Sequence, residues 1–215
     1  MDNAKKHASN WASMGTATRR KMILDEFETE MRLQDYRDIN ISALATHLNI
    51  GKTMIFRSFP TKANLVTALV LRDLEAFGPT LVNALGATNN QVLQKFFADQ
   101  VTRQLPLLKS LSLARNLTEK DMPAADLAAF HDGLVKQYQQ IAAQLKAKQG
   151  FMHENETAQL VRLALVLLVD ACDDTRYDQT PLRAADAVWA QSRVYVNRAY
   201  GGSAPNGLRQ PRRPS

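Results

Sequence analysis

The stretch Ile39-Asn40-Ile41-Ser42-Ala43-Leu44-Ala45-Thr46-His47-Leu48-Asn49-Ile50-Gly51-Lys52-Thr53-Met54-Ile55-Phe56-Arg57-Ser58-Phe59-Pro60-Thr61-Lys62-Ala63-Asn64-Leu65 decides the reading of the fold. Its apolar residues form two short groups with helical spacing: Ile41, Leu44, Ala45 and Leu48, then Ile55, Phe56 and Phe59. Asn49-Ile50-Gly51 stands between them and reads as a tight turn. Asn40 is placed to cap the first group, its side chain accepting from an orphan backbone N–H. Pro60 stops the second, because proline disfavours helical backbone in the residue before it. The stretch therefore predicts a helix over 41–48, a turn, and a helix over 52–59. Ile50, Ile55, Phe56 and Phe59 point inward, and Lys52, Thr53, Met54 and Arg57 form the open face.

Upstream, Ile23, Phe27 and Met31 recur at four-residue steps beside Leu24, which predicts a helix starting near Thr18. A longer helix bracing two short ones across a tight turn is the geometry that places a helix in the DNA major groove. That groove is wide enough for one helix and presents a distinct donor and acceptor pattern for each base pair. The solvated face of an ordinary bundle would show the same pattern, so the pattern alone leaves both readings open.

Downstream, Thr61 can cap a helix running to about Phe77, where Gly78-Pro79 is expected to end it. Further helical patterns cover 90–105, 107–117, 123–148, 154–171 and 181–200, with Pro106 ending or kinking the first of these. No stretch alternates with strand period for long and no internal repeat is present. The expected class is all-α, with about nine helices.

Residues 19–70 resemble the N-terminal signature of the tetracycline-repressor (TetR) family. The residues that carry the resemblance are Leu44-Ala45, Ile50, Phe56, Phe59, Pro60-Thr61-Lys62 and Leu65, with Ile23, Phe27 and Met31 in the first helix. Several positions depart from the pattern. Asn49 stands for the turn glycine, Gly51 for the serine that caps the third helix, and Phe56 for a tyrosine. Thr53 takes the place of a small residue, Asn40 that of a threonine, and Asp35 that of the glycine after helix 1. The resemblance implies a sequence-specific DNA-binding transcriptional regulator, commonly a repressor released by a small molecule. Its partners would be a double-stranded operator with two half-sites, a second copy of the chain and a small-molecule effector. It places Asn40 and Lys62 where family members touch the phosphate backbone, and Lys52, Thr53, Met54 and Arg57 on the recognition helix. Phe56 fits either the core or a DNA contact, and Arg57 fits either guanine or phosphate.

The same resemblance implies an effector cavity among the connecting helices and a dimer surface on the last two. Phe96, Phe97, Leu107, Leu111, Phe130, Leu134 and Tyr138 are the apolar and aromatic candidates for the cavity. Gln100, Arg103 and His131 are the polar ones. Each also fits an ordinary core or surface role. Their aromatic character favours an apolar or aromatic effector. Leu163, Leu167 and Ala171 on one helix, and Leu182, Ala185, Trp189 and Val196 on the next, form two apolar stripes. These stripes suit either a four-helix dimer interface or packing inside one subunit. The expected division is a flexible arm over 1–17 and a helix-turn-helix DNA-binding domain over 18–60. An effector-binding and dimerisation domain over 61–200 and a disordered basic tail over 201–215 follow.

The charge distribution agrees with that division. The chain has 215 residues, 45% of them hydrophobic, and a net charge of +6. Residues 1–72 hold eleven Lys and Arg against seven Asp and Glu, residues 73–200 thirteen against fourteen, and residues 201–215 three arginines and no acid. The basic excess at the ends eases approach to a polyanion, and Lys5, Lys6 and Arg19 lie close in sequence to the reading helices. With Cys172 as the single cysteine, no intrachain disulfide is expected. The most apolar run, 163–169, is far shorter than the roughly 20 residues that cross a bilayer, and no signal peptide is visible. The expected location is the cytoplasm.

Enzyme chemistry finds little support. Asp170, Cys172, Asp173 and Asp174 cluster without a Cys-His or Ser-His-Asp arrangement. His7, His47, His131 and His153 lack metal-site spacing, and no phosphate-cradling glycine loop exists. No cofactor, metal or catalytic residue is expected. The competing reading is a non-enzymatic helical module that binds a ligand or a protein and leaves DNA alone.

Overall fold

The structure is a computed structural model that describes residues 11, 14–87, 89–150, 152–173 and 180–200. Among these residues the regular structure is all helical. In chain order the helices are α1 (Thr16–Leu33), α2 (Ile41–His47), α3 (Lys52–Ser58), α4 (Lys62–Leu85), α5 (Asn90–Arg103), α6 (Leu105–Ala114), α7 (Ala124–Lys148), α8 (Glu154–Asp173) and α9 (Thr180–Tyr200). They form two compact units. Of the described residues, one contains those up to Leu71 together with Lys109–Phe130, and the other contains Arg72–Leu108 with those from His131 to Tyr200. The units do not divide at residue 60, because α4, α6 and α7 each supply residues to both.

In the first unit, α1 buries Ile23, Leu24, Phe27 and Met31 on one stripe. It begins at Thr16 behind Gly15, two residues before the expected Thr18, and Gly15 provides no side-chain cap. Asn40 does cap α2: its Oδ1 accepts from the Ser42 amide at 2.8 Å. The chain leaves α2 through a left-handed residue, Asn49, with φ of 53°. The Ile50 amide donates to Ala45 O at 2.9 Å and the Asn49 amide to Thr46 O at 3.0 Å. This pair of reversed bonds satisfies the last carbonyls of α2 and turns the chain sharply. Asparagine tolerates the left-handed region better than most residues, so the missing glycine costs the turn little.

Buried Ile55 and Phe59 hold α3 from behind. Phe56 does not join them; its side chain is exposed, because position 56 lies about 100° round the helix from 55, off the face that 55 and 59 share. Ile50, expected to point inward, is half-buried. The residues 109–130 pack into the same unit. Lys109 Nζ donates to the carbonyl of Met31 at 3.3 Å, and Asn64 Nδ2 donates to Asp126 Oδ2 at 3.0 Å.

The expected stop at Gly78-Pro79 does not occur. Helix α4 runs through Pro79 to Leu85. Leu81, Val82 and Leu85 are buried beyond the proline, and their burial outweighs the hydrogen bond that proline removes. Gly78 is needed for a different reason: a Cβ there would lie 3.0 Å from Ile141 Cγ1. Pro106 likewise opens α6 as its second residue. A missing N–H costs nothing in that first turn.

In the second unit α9 packs on α5 and α8, and α5 packs on α8. Asp186 Oδ1 accepts from Asn90 Nδ2 at 2.6 Å and from Gln94 Nε2 at 2.8 Å, tying α9 to the start of α5. Tyr195 OH donates to Gln159 Oε1 at 3.0 Å. Among the described residues no helix is long and apolar enough to cross a membrane.

Candidate nucleic-acid interface

Helix α3 presents Lys52, Thr53, Phe56 and Arg57 to solvent, with Met54 half-buried at their edge. The Lys52 ammonium lies 5.5 Å from the centre of the Phe56 ring, so Phe56 serves as a platform for a cation on the open face. Arg20 of α1 braces the helix from the other side. Its Nη1 donates to the carbonyl of Ser58, and its guanidinium carbon sits 4.2 Å from the centre of the Phe59 ring. The exposed row is therefore carried by a helix fixed at both ends, by the α2 turn and by Arg20. Its weakest element is the N-cap, Gly51, which supplies no side-chain acceptor.

Beside this row lies a concavity of about 180 Å³ lined by Trp11, Thr16, Arg19, Arg20, Met54, Arg57 and Ser58. Three guanidinium groups border it, which makes it attractive to an anion. Trp11 is buried, inside the stretch 1–17 that the sequence pattern marks as a flexible arm. A lone tryptophan in a polar arm, followed by Arg19-Arg20-Lys21, was the available signal. Lys5 and Lys6 lie outside the described residues.

Lys62 is less free than a phosphate ligand needs to be, and Asn40 less constrained. Asn40 is exposed, and its α2 cap engages Oδ1, whereas a phosphate would take the Nδ2 donor. Lys62 donates to the carbonyl of Tyr36, lies 3.5 Å from that of Arg37, and sits 4.2 Å over the Tyr36 ring. Burial lowers the Lys62 pKa below its ordinary value, opposed by Asp38 nearby. Burial, with help from Asp121, raises that of Tyr36. Lys62 thus anchors the loop between α1 and α2.

The effector candidates are distributed over both units. Phe97, Gln100, Leu107, Leu111 and Phe130 are buried, Phe96, Leu134 and Tyr138 are half-buried, and Arg103 and His131 are exposed. Leu111 and Phe130 belong to the first unit and the others to the second. Phe96 stacks on Phe77 with centroids 5.9 Å apart and meets Phe97 edge to face at 5.9 Å. The Gln100 Oε1 accepts from Gln104 at 3.3 Å. A separate groove of about 620 Å³ runs between α7 and α8, lined by Gln139, Ala142, Ala143, Lys146, Ala147, Gly150, Glu154, Asn155 and Ala158. None of the effector candidates lines it.

Of the dimer candidates, Ala171, Ala185 and Trp189 are buried within the single chain, and Leu163 and Leu167 are half-buried. The side chains of Leu182 and Val196 lie outside the described residues. Among the described residues, the large apolar side chains left exposed on these helices are Val166 and Val194.

No protein-family profile matches the sequence and no curated relative does. Solved structures do match the fold. A TetR transcriptional regulator from Rhodococcus sp. RHA1 superposes with a TM-score of 0.59 at 14% identity, over 82% of this chain and 94% of that one. A TetR-family transcriptional regulator from Streptomyces coelicolor does so with a TM-score of 0.56 at 16% identity, over 90% and 95% of the two chains. The chain thus shares the fold of these TetR-family structures.

Proposed function

We propose that the chain is a sequence-specific, DNA-binding transcriptional regulator that acts as a homodimer. The observation that carries this reading is the exposed Lys52, Thr53, Phe56 and Arg57 row on α3, a short helix whose buried face is held by Ile55, Phe59 and Arg20. Arg57 supplies a bidentate donor for guanine or phosphate, Thr53 and Met54 offer base-edge contacts, and Lys52 and Asn40 contribute backbone contacts. A second copy is required because two half-sites need two recognition helices. The outer faces of α8 and α9, with Leu163, Val166, Leu167 and Val194, support that assembly.

The effector is proposed to be small and largely apolar or aromatic, and to release the operator. The Phe77, Phe96 and Phe97 cluster with buried Gln100 supports that chemistry. Helix α4 supplies residues to both units, so a ligand in one can bias the spacing of the two recognition helices. A coupling of about 1–3 kcal/mol corresponds to about 5–150-fold in operator affinity.

The direct test is titration with a nonspecific duplex at low salt. Micromolar or tighter affinity that falls steeply with salt is the expected result. Absence of binding would favour a helical module that takes a ligand or a protein partner instead.

A further inference from the structure

Two glutamates of α1 and one histidine of α2 converge on one point. Glu26 and Glu30 stand one turn apart on the same face of α1, as i and i+4 positions must. His47 is the last residue of α2. Its Nδ1 lies 2.9 Å from Glu26 Oε1 and 3.2 Å from Glu30 Oε1. One ligand atom from each residue lies within 4.8 Å of the others. Among the described residues neither carboxylate pairs with a lysine or arginine.

Like charges at i and i+4 repel, and Glu30 is only 7% exposed. A nearly buried carboxylate needs compensating partners, and those in reach of Glu30 are the Gln34 amide and the His47 imidazole. A cation between the two carboxylates removes both penalties. His47 does this only in part, since even as an imidazolium it brings one positive charge and one Nδ1 proton to two carboxylates.

We propose that Glu26, Glu30 and His47 bind a first-row divalent transition ion of the zinc class, which clamps α1 to the end of α2. Two carboxylates and one neutral imidazole carry two negative charges, matching a divalent cation. Zinc takes oxygen and nitrogen ligands at about 2.0–2.2 Å, so neighbouring ligand atoms in a tetrahedral shell stand about 3.3–3.6 Å apart. The observed separations of 2.9 and 3.2 Å need only to open by a few tenths of an ångström. The imidazole selects against magnesium, which prefers an all-oxygen shell.

The surroundings are built as a metal site requires. Gln34 donates its amide to Glu30 Oε2, which orients the carboxylate from outside the ligand shell. The His47 side chain is half exposed and that of Glu26 a quarter exposed, leaving an entry path and room for water at a fourth position. The clamp would sit directly before Asn49, the residue that turns the chain into α3.

The test uses the full chain, with any affinity tag removed and metals stripped by a chelator. Zinc is added in calorimetry, and cobalt replaces it for absorption spectroscopy. One zinc per chain, a higher melting temperature with zinc, and a cobalt d–d spectrum are expected. His47→Gln and Glu26→Gln should each weaken zinc by about tenfold or more and abolish the thermal shift, while His153→Gln changes neither. Glu26 is partly exposed, so its variant stays informative if a Glu30 variant fails to fold. No zinc binding at micromolar concentrations, or binding unchanged in both variants, would overturn the proposal. So would loss in His47→Gln alone, which marks a lone imidazole.

Discussion

The Lys62 ammonium donates to the carbonyl of Tyr36 and lies 4.2 Å from the centre of the same residue's ring. A single side chain at the start of α4 thus holds the loop between α1 and α2 by both its backbone and its aromatic face. Lys62→Met keeps the apolar stem and removes the donors. It is expected to cost about 1–2 kcal/mol of stability, from a charged hydrogen bond and a cation–π contact. Denaturant unfolding measures this directly. In duplex titrations the same variant should weaken all sequences alike. It should lower the log–log salt slope by less than about 1 per chain, since its charge is already engaged. Full stability in Lys62→Met would show that the contact carries no weight.

Gly51 is the weak point of α3. Its backbone is already extended, with φ of −74° and ψ of 140°, and an added Cβ meets nothing within 4 Å. Gly51→Ser places an acceptor beside the unpaired amides of the first turn and narrows the unfolded ensemble. The expected gain is about 0.5–1 kcal/mol, read as a higher denaturant midpoint with an unchanged slope. A lower midpoint would mean that the α2–α3 turn needs a conformation only glycine permits.

The parts of this fold legible in the sequence are those set by local physics. Asn40 as a cap, Asn49 as the left-handed residue and the inward stripe of Ile23, Phe27 and Met31 all follow from neighbours within a few residues. What is not legible is decided by distant packing. Gly78-Pro79 reads as a stop, yet buried Leu81, Val82 and Leu85 carry α4 through it. Trp189 and Ala185 suit either a dimer interface or packing inside one subunit, and their burial in the single chain, where α5 and α8 pack against α9, is set by residues far along the sequence. That Lys62 also holds the α1–α2 loop is not legible, because the carbonyls that engage it lie 25 and 26 residues away. The meeting of His47 with Glu26 and Glu30 is invisible to any spacing rule, since it joins two helices across 21 and 17 residues.

Acid should act on α8 through Glu156. Desolvation pushes its carboxyl pKa up, but the His153 amide and Arg198, each at 2.7 Å, hold it below the ordinary 4.5. A depressed carboxyl pKa gives stability that is present above 4.5 and is lost as the pH falls through the folded value. Glu156→Gln is therefore expected to cost up to about 1 kcal/mol near neutral pH, as half of a capping box with an exposed ion pair. The gap from wild type should close in acid. A gap that stays constant from neutral to acidic pH would assign the effect to packing instead.

The proposed dimer is best probed where apolar groups remain uncovered. Val166→Lys and Val194→Lys together should give a folded monomer by light scattering, with helical content unchanged. Trp189 is unsuitable for this purpose because its burial lies within one chain. A dimer that survives both lysines would move the interface away from the outer faces of α8 and α9.

The most direct measurement of the central claim is selection of binding sites from a randomised duplex library by the full chain, followed by affinities for the enriched sequence. A two-fold symmetric site with half-site centres about 34–36 Å apart, or a multiple of that, is expected. Arg57→Ala should weaken the selected site by about 1–3 kcal/mol and relax preference at one position per half-site. A folded protein that enriches no sequence, or one whose selected site is indifferent to Arg57, Thr53 and Lys52, would contradict that claim.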